Sequence, residues 1–195
     1  MELILGSSSP RRKEIMQFFT YPFRAISPPY DESQVPFTGD PKAYVATLAR
    51  EKGQSLKPQF PNDIIVSADT IVFVEGKVIG KPKNEEEMRS MLSTLAGKRH
   101  SVFTALHLIS PTVTDSAIEE TEVVCNRMTP EEIHCYMRGH SLYDKAGSYA
   151  IQRSGSLIVK EIHGCYYNVM GLPINALRKL LQRVGIDLWH YLQPF

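Results

Sequence analysis

Residues 3–16 read L-I-L-G-S-S-S-P-R-R-K-E-I-M and carry the signals for a strand, a turn and a helix. The first apolar residues predict a short buried strand, and the glycine and serines predict the turn. Ser9 suits the N-cap of the helix, and a proline follows at the first helical position. Arg11, Arg12 and Lys13 then add positive charge to a helix start that already carries about half a charge. We therefore predict a bound phosphate here, against the alternative of a solvated basic helix start.

Length and composition limit the classes of protein. The chain of 195 residues can bury a full hydrophobic core, and we expect one domain over residues 1–195. A formal net charge of +1 argues against nucleic acid and membrane surfaces as partners. The cysteines are odd in number and widely spaced, which favours reduced thiols over a disulfide scaffold or a zinc ribbon. No apolar run approaches the ~18 residues that span a bilayer, and the first residues do not resemble a signal peptide. We therefore expect a cytoplasmic protein.

Strand and helix patterns are interleaved along the chain and predict an α/β or mixed α+β fold around a mixed central sheet. After the opening stretch, apolar segments predict strands at 21–26, 64–74, 78–79, 100–109, 117–128 and 156–162. Capping signals predict helices that start after Asp40, Asn84 and Thr129, and another helix covers 174–184. Residues 164–173 are predicted to form turns.

The longest apolar run, residues 64–74, has an acidic residue at its centre. By the two-residue alternation of a strand, Asp69 shares a face with Ser67 and with apolar side chains. An ionised carboxylate among such neighbours is costly unless it is paired or bound to a metal ion. Hydrogen bonds from backbone N–H groups are the alternative, but a strand interior has few such groups to spare.

Two lysines and two loop acids complete the set of charged candidates. Lys52 continues the apolar stripe of the second helix, so its side chain either snorkels to solvent or points into a cleft. Lys81 lies between a glycine and a proline in rigid, non-helical backbone. Asp31 and Glu32 lie in a proline-rich loop, where acids are usually solvated, unless one of them helps to hold a metal ion. Several cations beside an acid are the composition of a polyphosphate site, although the chain has no P-loop motif.

Six motifs resemble those of the Maf family, occur in the order of that family and cover almost the whole chain. They are S-x-S-P-R-R at 7–12, L-A-R-E-K at 48–52, S-A-D-T at 67–70, G-K-P at 80–82, D-K-A-G-x-Y at 144–149 with I-Q at 151–152, and N-V-x-G-L-P at 168–173. The resemblance implies an elongated fold like that of inosine triphosphate pyrophosphatases, with a cleft between two lobes. It also implies that the protein is a nucleoside triphosphate pyrophosphatase that needs magnesium or manganese. Many members of the family are homodimers, so a homodimer is expected here.

The resemblance also implies roles for individual residues. Asp69 matches the catalytic acid that accepts a proton from water, and Asp69 and Glu32 are the expected metal ligands. Arg11, Thr70 and Gln152 match the positions that separate the subfamilies, and they are the set of the subgroup that hydrolyses dTTP and UTP. Arg12, Lys52 and Lys81 match phosphate-side cations of the family. Ser7 and Ser9, in the turn and helix start, complete the expected set of phosphate-binding residues.

Two other functions stay open. A pyrophosphatase of the 7-methyl-GTP type would use the same chemistry, but the residues at the subfamily positions count against it. A nucleotide-binding regulator of septum formation would bind without turnover.

The chain also departs from the family at Gly6, Tyr143, Ala150 and Arg153. Arg153 is the largest change, because a long cation beside Gln152 either alters substrate selectivity or points to solvent.

Overall fold

A computed structural model describes residues 1–139 and 142–193. In these residues the chain forms seven strands and six α-helices. The strands are β1 (Leu3–Gly6), β2 (Phe23–Ile26), β3 (Ile64–Val74), β4 (Lys77–Ile79), β5 (Arg99–Ile109), β6 (Thr114–Cys125) and β7 (Val159–His163). The helices are α1 (Pro10–Met16), α2 (Pro41–Leu56), α3 (Glu85–Leu95), α4 (Pro130–Arg138), α5 (Tyr166–Met170) and α6 (Ile174–Gln182). No helix in the described residues is both long and apolar enough to span a membrane.

All seven strands belong to one mixed sheet. Its order is β2-β1-β3-β5-β6-β7, and β4 pairs with the far end of β3. Strand β1 runs parallel to both β2 and β3, whereas the other strand pairs are antiparallel. The long run of β-branched residues in β3 suits a strand with partners on both sides. The predicted mixed α/β fold is therefore confirmed.

One edge of β3 carries a gap in its pairing. Strand β1 pairs with residues 64–67 of β3, and its last partner is Ser67, opposite Gly6. Strand β4 pairs with residues 72–74 on the same edge. Between them, residues 68–71 have no strand partner on this side within the described part of the chain. The gap follows the end of parallel strand β1, which is where open α/β sheets commonly bind ligands.

Two apolar clusters lie on one face of the sheet, one at each end of β3. The first contains Ala68 of β3 together with residues of α1 and α6, and the second contains Val72 together with residues of α3 and α4. On the opposite face, α2 packs against Ile65 and Ile71. The two clusters correspond to the expected lobes, and the centre of β3 lies at their junction.

Local capping signals in the sequence placed most helix starts correctly. The Asp40 carboxylate accepts the backbone N–H groups at the start of α2, and Thr129 forms a full capping box at the start of α4. Asn84 caps α3 as predicted by accepting the N–H of Glu87, and the Glu87 carboxylate accepts the N–H of Lys83, the residue before the cap. Ser9 occupies the N-cap of α1, yet its side chain makes no capping bond among the described residues.

Several predicted segment boundaries differ from the structure. The strand predicted at 156–162 begins only at Val159, because residues 153–157 form a 3₁₀ segment. Strand β6 begins at Thr114 instead of residue 117, because a hydrogen bond from the Ser110 N–H to the Val113 carbonyl makes the preceding turn short.

The predicted turns at 164–173 contain the short helix α5. This helix is tied down by Asn168, whose buried amide donates to the Val102 carbonyl and to the Thr121 hydroxyl. These tertiary bonds have no local signal in the sequence, which is why the helix was not predicted.

Candidate active site

A cavity of about 480 Å³ opens at the unpaired stretch of β3. Its wall comes from the turn after β1, the first turn of α1, the centres of α2 and β3, the segment after β4 and the segment at 144–152. The structure brings every predicted site residue to this one cavity. They are Ser7, Ser9, Arg11, Arg12, Glu32, Lys52, Asp69, Thr70, Lys81 and Gln152.

A buried ion pair lies at the centre of the cavity wall. The residue Asp69 is only 6% exposed, and its carboxylate accepts a hydrogen bond from the ammonium group of Lys52. The Lys52 side chain therefore points into the cleft instead of snorkelling to solvent. Burial raises the pKa of Asp69, and the positive charges of Lys52 and Arg12 oppose that rise. Asp69 is a stronger base here than a free aspartate, while the cations favour its ionised form.

The second carboxylate at Lys52 belongs to Glu32. Its Oε1 lies 2.8 Å from the Lys52 Nζ, and its side chain is half-exposed. Burial opposes the ionisation of Glu32, but the hydrogen bond and charge of Lys52 outweigh it, so the pKa of Glu32 is lowered. The neighbouring Asp31 instead caps its own turn by accepting the N–H of Ser33. Of the two loop acids, only Glu32 lines the cavity among the described residues.

Arg12 is buried and most of its hydrogen bonds go to the protein. Its Nε donates to the Gly171 carbonyl at 2.7 Å, and its Nη1 donates to the Ala68 carbonyl at 2.9 Å and to the Ser7 hydroxyl at 3.2 Å. Its Nη2 donates to Thr70 Oγ1 at 2.9 Å. A guanidinium has five N–H groups, so one remains for a ligand. Arg12 thus joins α1 to β3 and to the residue after α5, and it still adds positive charge to the site.

Arg11 crosses the cavity to the segment at 144–152. Its Nη1 pairs with the Asp144 carboxylate at 2.7 Å, and its Nη2 donates to the Asp144 carbonyl at 3.2 Å. Lys145 binds the other carboxylate oxygen at 2.6 Å. Burial would raise the pKa of Asp144, but the hydrogen bond from Lys145 and the charge of Arg11 lower it. The sequence reasoning gave Asp144 and Lys145 no role, although both stand in the quoted motif at 144–149.

The remaining predicted residues lie around the mouth of the cavity. The Ser7 hydroxyl accepts from the backbone N–H of Ser9 at 3.2 Å as well as from Arg12, so its own proton can be donated to a ligand. Lys81 is exposed and makes no ion pair with any residue that the structure describes. Gln152 is half-buried and lies directly before a 3₁₀ segment. The Ser7 hydroxyl, the Gln152 amide and the Lys81 ammonium therefore provide hydrogen-bond donors and one positive charge at the mouth of the cavity.

Arg153 does not enter the site. Its side chain is exposed and is not part of the cavity wall within the described residues. Its backbone adopts a φ of 55°, in the left-handed region that favours glycine. The departure from the family pattern therefore places strain in the backbone next to Gln152, while the added charge points to solvent.

Comparisons with known proteins identify the family. Residues 2–184 match the family model described as Maf-like protein. The chain belongs to the Maf-like family. It is 44% identical over 192 residues to a dTTP/UTP pyrophosphatase of Chlamydia felis, with 98% of both chains covered. It is 42% identical over 192 residues to a dTTP/UTP pyrophosphatase of Clostridium perfringens, with 96% of this chain and 100% of the relative covered.

A solved structure shares the architecture of this Maf-like protein. The Staphylococcus aureus Ham1 protein matches 94% of this chain and 100% of its own chain with a TM-score of 0.53. The sequence identity is 14%, so this similarity concerns the fold alone.

Proposed function

We propose that this Maf-like protein hydrolyses nucleoside triphosphates to a nucleoside monophosphate and pyrophosphate, with dTTP and UTP as its preferred substrates. The observation that carries the proposal is the buried Asp69 carboxylate, paired with Lys52, at the sheet gap and among further cations. Relatives that are 42–44% identical and named dTTP/UTP pyrophosphatases support the pyrimidine preference. The cavity volume also lies within the range of small-molecule sites, about 300–1,000 Å³.

In the proposed reaction, water adds across the anhydride bond between the α- and β-phosphates. Asp69 accepts a proton from the water, and its raised pKa suits this role. The hydroxyl joins one phosphorus, and the bridging oxygen leaves with the other phosphate group. Lys52, Lys81 and Arg11 offset the charge on the phosphate oxygens. The Ser7 hydroxyl and the backbone near Ser9 supply further donors to these oxygens.

The residues at the centre of the cavity fit a divalent cation. Two carboxylates, Asp69 and Glu32, already converge on one positive group, the ammonium of Lys52. Magnesium commonly uses one or two carboxylates together with substrate phosphates. The described residues contain no group of three or more potential ligand side chains, so the two carboxylates would need the substrate phosphates to complete the site. We propose that Asp69 and Glu32 hold magnesium or manganese together with the triphosphate, where the ion would offset phosphate charge.

The nucleoside is proposed to contact Thr70 and Gln152, and Arg11 completes this set of selectivity residues. All three line the same cavity as Asp69.

We further propose that the chain acts as one domain, and that it forms the homodimer expected from the family resemblance. Light scattering of the purified protein tests the dimer.

The first experiment measures pyrophosphate release from dTTP, UTP, 7-methyl-GTP and other triphosphates, with magnesium or manganese. The wild type is compared with Asp69→Asn, which keeps the shape of the side chain but cannot accept the proton. We expect the variant to stay folded and to lose about 10²–10⁴-fold in rate, the usual contribution of a general base. Glu161→Gln, which alters a half-exposed acid that does not line the cavity, is the matched control.

Three results would contradict the proposal. An Asp69→Asn enzyme with wild-type rates would rule out the catalytic role of this carboxylate. A wild type that cleaves 7-methyl-GTP best would reject the pyrimidine preference. Tight triphosphate binding without any product would favour the regulator instead.

A further inference from the structure

A chain of hydrogen bonds runs behind the cavity through two threonine hydroxyls. Thr70 in β3 lies directly opposite Thr104 in β5, and their Oγ1 atoms are 2.9 Å apart. Arg12 Nη2 lies 2.9 Å from Thr70 Oγ1 at one end, and Thr104 Oγ1 lies 3.1 Å from the Asn168 carbonyl oxygen at the other. Thr104 is fully buried, and the sequence reasoning gave it no role.

The two ends of this chain fix the direction of every hydrogen bond in it. A guanidinium can only donate and a carbonyl oxygen can only accept. The single hydroxyl proton of Thr104 therefore goes to the Asn168 carbonyl, so Thr104 must accept from Thr70. The proton of Thr70 is thereby committed to Thr104, while its oxygen accepts from Arg12. Thr70 is left with one acceptor lone pair and nothing to donate.

The cavity side of Thr70 is accessible to a ligand. Thr70 is half-buried and lines the cavity. Gly171 lies over its hydroxyl at a φ of 102°, and a Cβ on that residue would come within 3.2 Å of Thr70 Oγ1. The absence of a side chain at residue 171 thus keeps the oxygen open. Phosphate oxygens are acceptors and cannot use this lone pair, so any nucleotide group that bonds Thr70 must be a hydrogen-bond donor.

We propose that Thr104 is a positioning residue that fixes Thr70 as a hydrogen-bond acceptor and thereby selects pyrimidines that carry a hydrogen on N3. This inference rests on the proposed function and specifies how its base preference arises. Thymine and uracil present an N3–H donor, whereas N3 of cytosine is an acceptor and would face the Thr70 lone pair. A ribose hydroxyl is the other donor on a nucleotide, and the test distinguishes it from the base.

The test compares dTTP with 5-methyl-dCTP, which share the sugar, the triphosphate and the base methyl group and differ only at C4 and N3. The measured quantity is the ratio of their kcat/KM values for the wild type, Thr104→Val and Thr104→Ser. In Thr104→Val, the Thr70 hydroxyl loses its acceptor and can turn to donate to cytosine N3. We expect the wild type to prefer dTTP and Thr104→Val to reduce the ratio about tenfold, as for one hydrogen bond of typical strength. Thr104→Ser should restore the ratio.

The variant should fold, because valine matches threonine in shape and the Asn168 carbonyl keeps its hydrogen bond from the Gly171 N–H at 2.9 Å. Thr121→Val is the control for general loosening of α5. It removes another buried hydroxyl that bonds Asn168, and the hydrogen bonds of Thr121 go to Cys165 and Asn168 instead of Thr70. We expect this control to lower the melting temperature and to leave the substrate ratio unchanged.

Several outcomes would overturn the inference. It fails if the wild type does not prefer dTTP, if Thr104→Val leaves the ratio unchanged, or if Thr121→Val lowers it equally. It also fails if Thr104→Val changes the ratio of dTTP to its 3′-deoxy analogue instead, since that would assign Thr70 to the sugar. If the wild type cleaves no pyrimidine triphosphate, the proposed function fails separately. The same ratio, measured as dissociation constants of the wild type and variants, then still tests Thr104.

Discussion

Replacement of Lys52 by methionine tests whether the buried ion pair at Asp69 is as closely coupled as the structure indicates. The side chains of Lys52 and Asp69 are 11% and 8% exposed, and they are joined by a hydrogen bond. Methionine fills a similar volume without charge, so the change removes the cation and leaves the buried carboxylate. Glu32 is half-exposed and can return to solvent. Most of the cost should therefore arise at Asp69.

The expected loss follows from that burial. Removal of one partner from a buried pair typically costs about 3–5 kcal/mol. Arg12 remains nearby and still offsets some of the Asp69 charge, so we expect the lower end, about 3 kcal/mol. Without Lys52 the pKa of Asp69 rises further above its unfolded value. For an acid shifted in this direction, stability is retained while the carboxyl is protonated and is lost as pH rises through the folded-state pKa. The deficit should therefore be larger at pH 8 than at pH 5.

Urea unfolding at both pH values measures this deficit for four proteins: wild type, Lys52→Met, Asp69→Asn and the double variant. Because Asp69→Asn removes the buried charge, Lys52→Met should cost much less in that background. Lys98→Met is the matched control, since Lys98 forms an exposed pair with Glu75 and should cost less than about 1 kcal/mol. The reasoning would be refuted if the stability losses of Lys52→Met and Asp69→Asn simply added in the double variant. It would also be refuted if the loss caused by Lys52→Met were larger at pH 5 than at pH 8.

Two further predictions concern residues outside the catalytic centre. His100 is 3% exposed, and burial lowers its pKa to about 4 from 6.5, so its contribution to stability is present above pH 6.5 and is lost as pH falls through about 4. Acid should then remove up to about 3 kcal/mol, and His100→Gln should abolish this part of the pH dependence in urea titrations. A wild type and variant with the same pH profile would contradict the assignment to His100. Arg153 has a φ of 55°, so the variant Arg153→Gly should be more stable than Arg153→Ala by about 1 kcal/mol. Urea unfolding midpoints of the two variants measure this difference. Equal midpoints would show that the backbone is not strained there.

Much of the candidate site could be predicted from local patterns. The alternation of residues in β3 singled out Asp69 as a charge among apolar neighbours, and the helical stripe of α2 made Lys52 a candidate for the cleft. Capping residues located the starts of α2 and α4 because a cap acts within one helical turn. Such signals depend on neighbours a few residues away, so the sequence is sufficient to read them.

Other features depended on contacts between residues distant in the chain. Sequence patterns left two orientations open for the Lys52 side chain, and they did not decide which of two loop acids belongs to the site. Only the packing of α2 against β3 brings Lys52 between Asp69 and Glu32. The same limit applies to Arg12, a candidate phosphate ligand by its charge, which the fold surrounds with acceptors from three other segments.

By itself, the sequence determined that the chain forms a mixed α/β fold, with an acid in its central strand and candidate cations at the first helix start, within the second helix and beside a proline. Only the tertiary structure decided the gap between β1 and β4 and the direction of the hydrogen bonds through Thr70 and Thr104. The gap depends on where two separate strands stop along β3, and the direction depends on a carbonyl 64 residues from Thr104. Pairing register and long-range acceptors of this kind are properties of the folded chain, because no local pattern encodes which distant groups will meet.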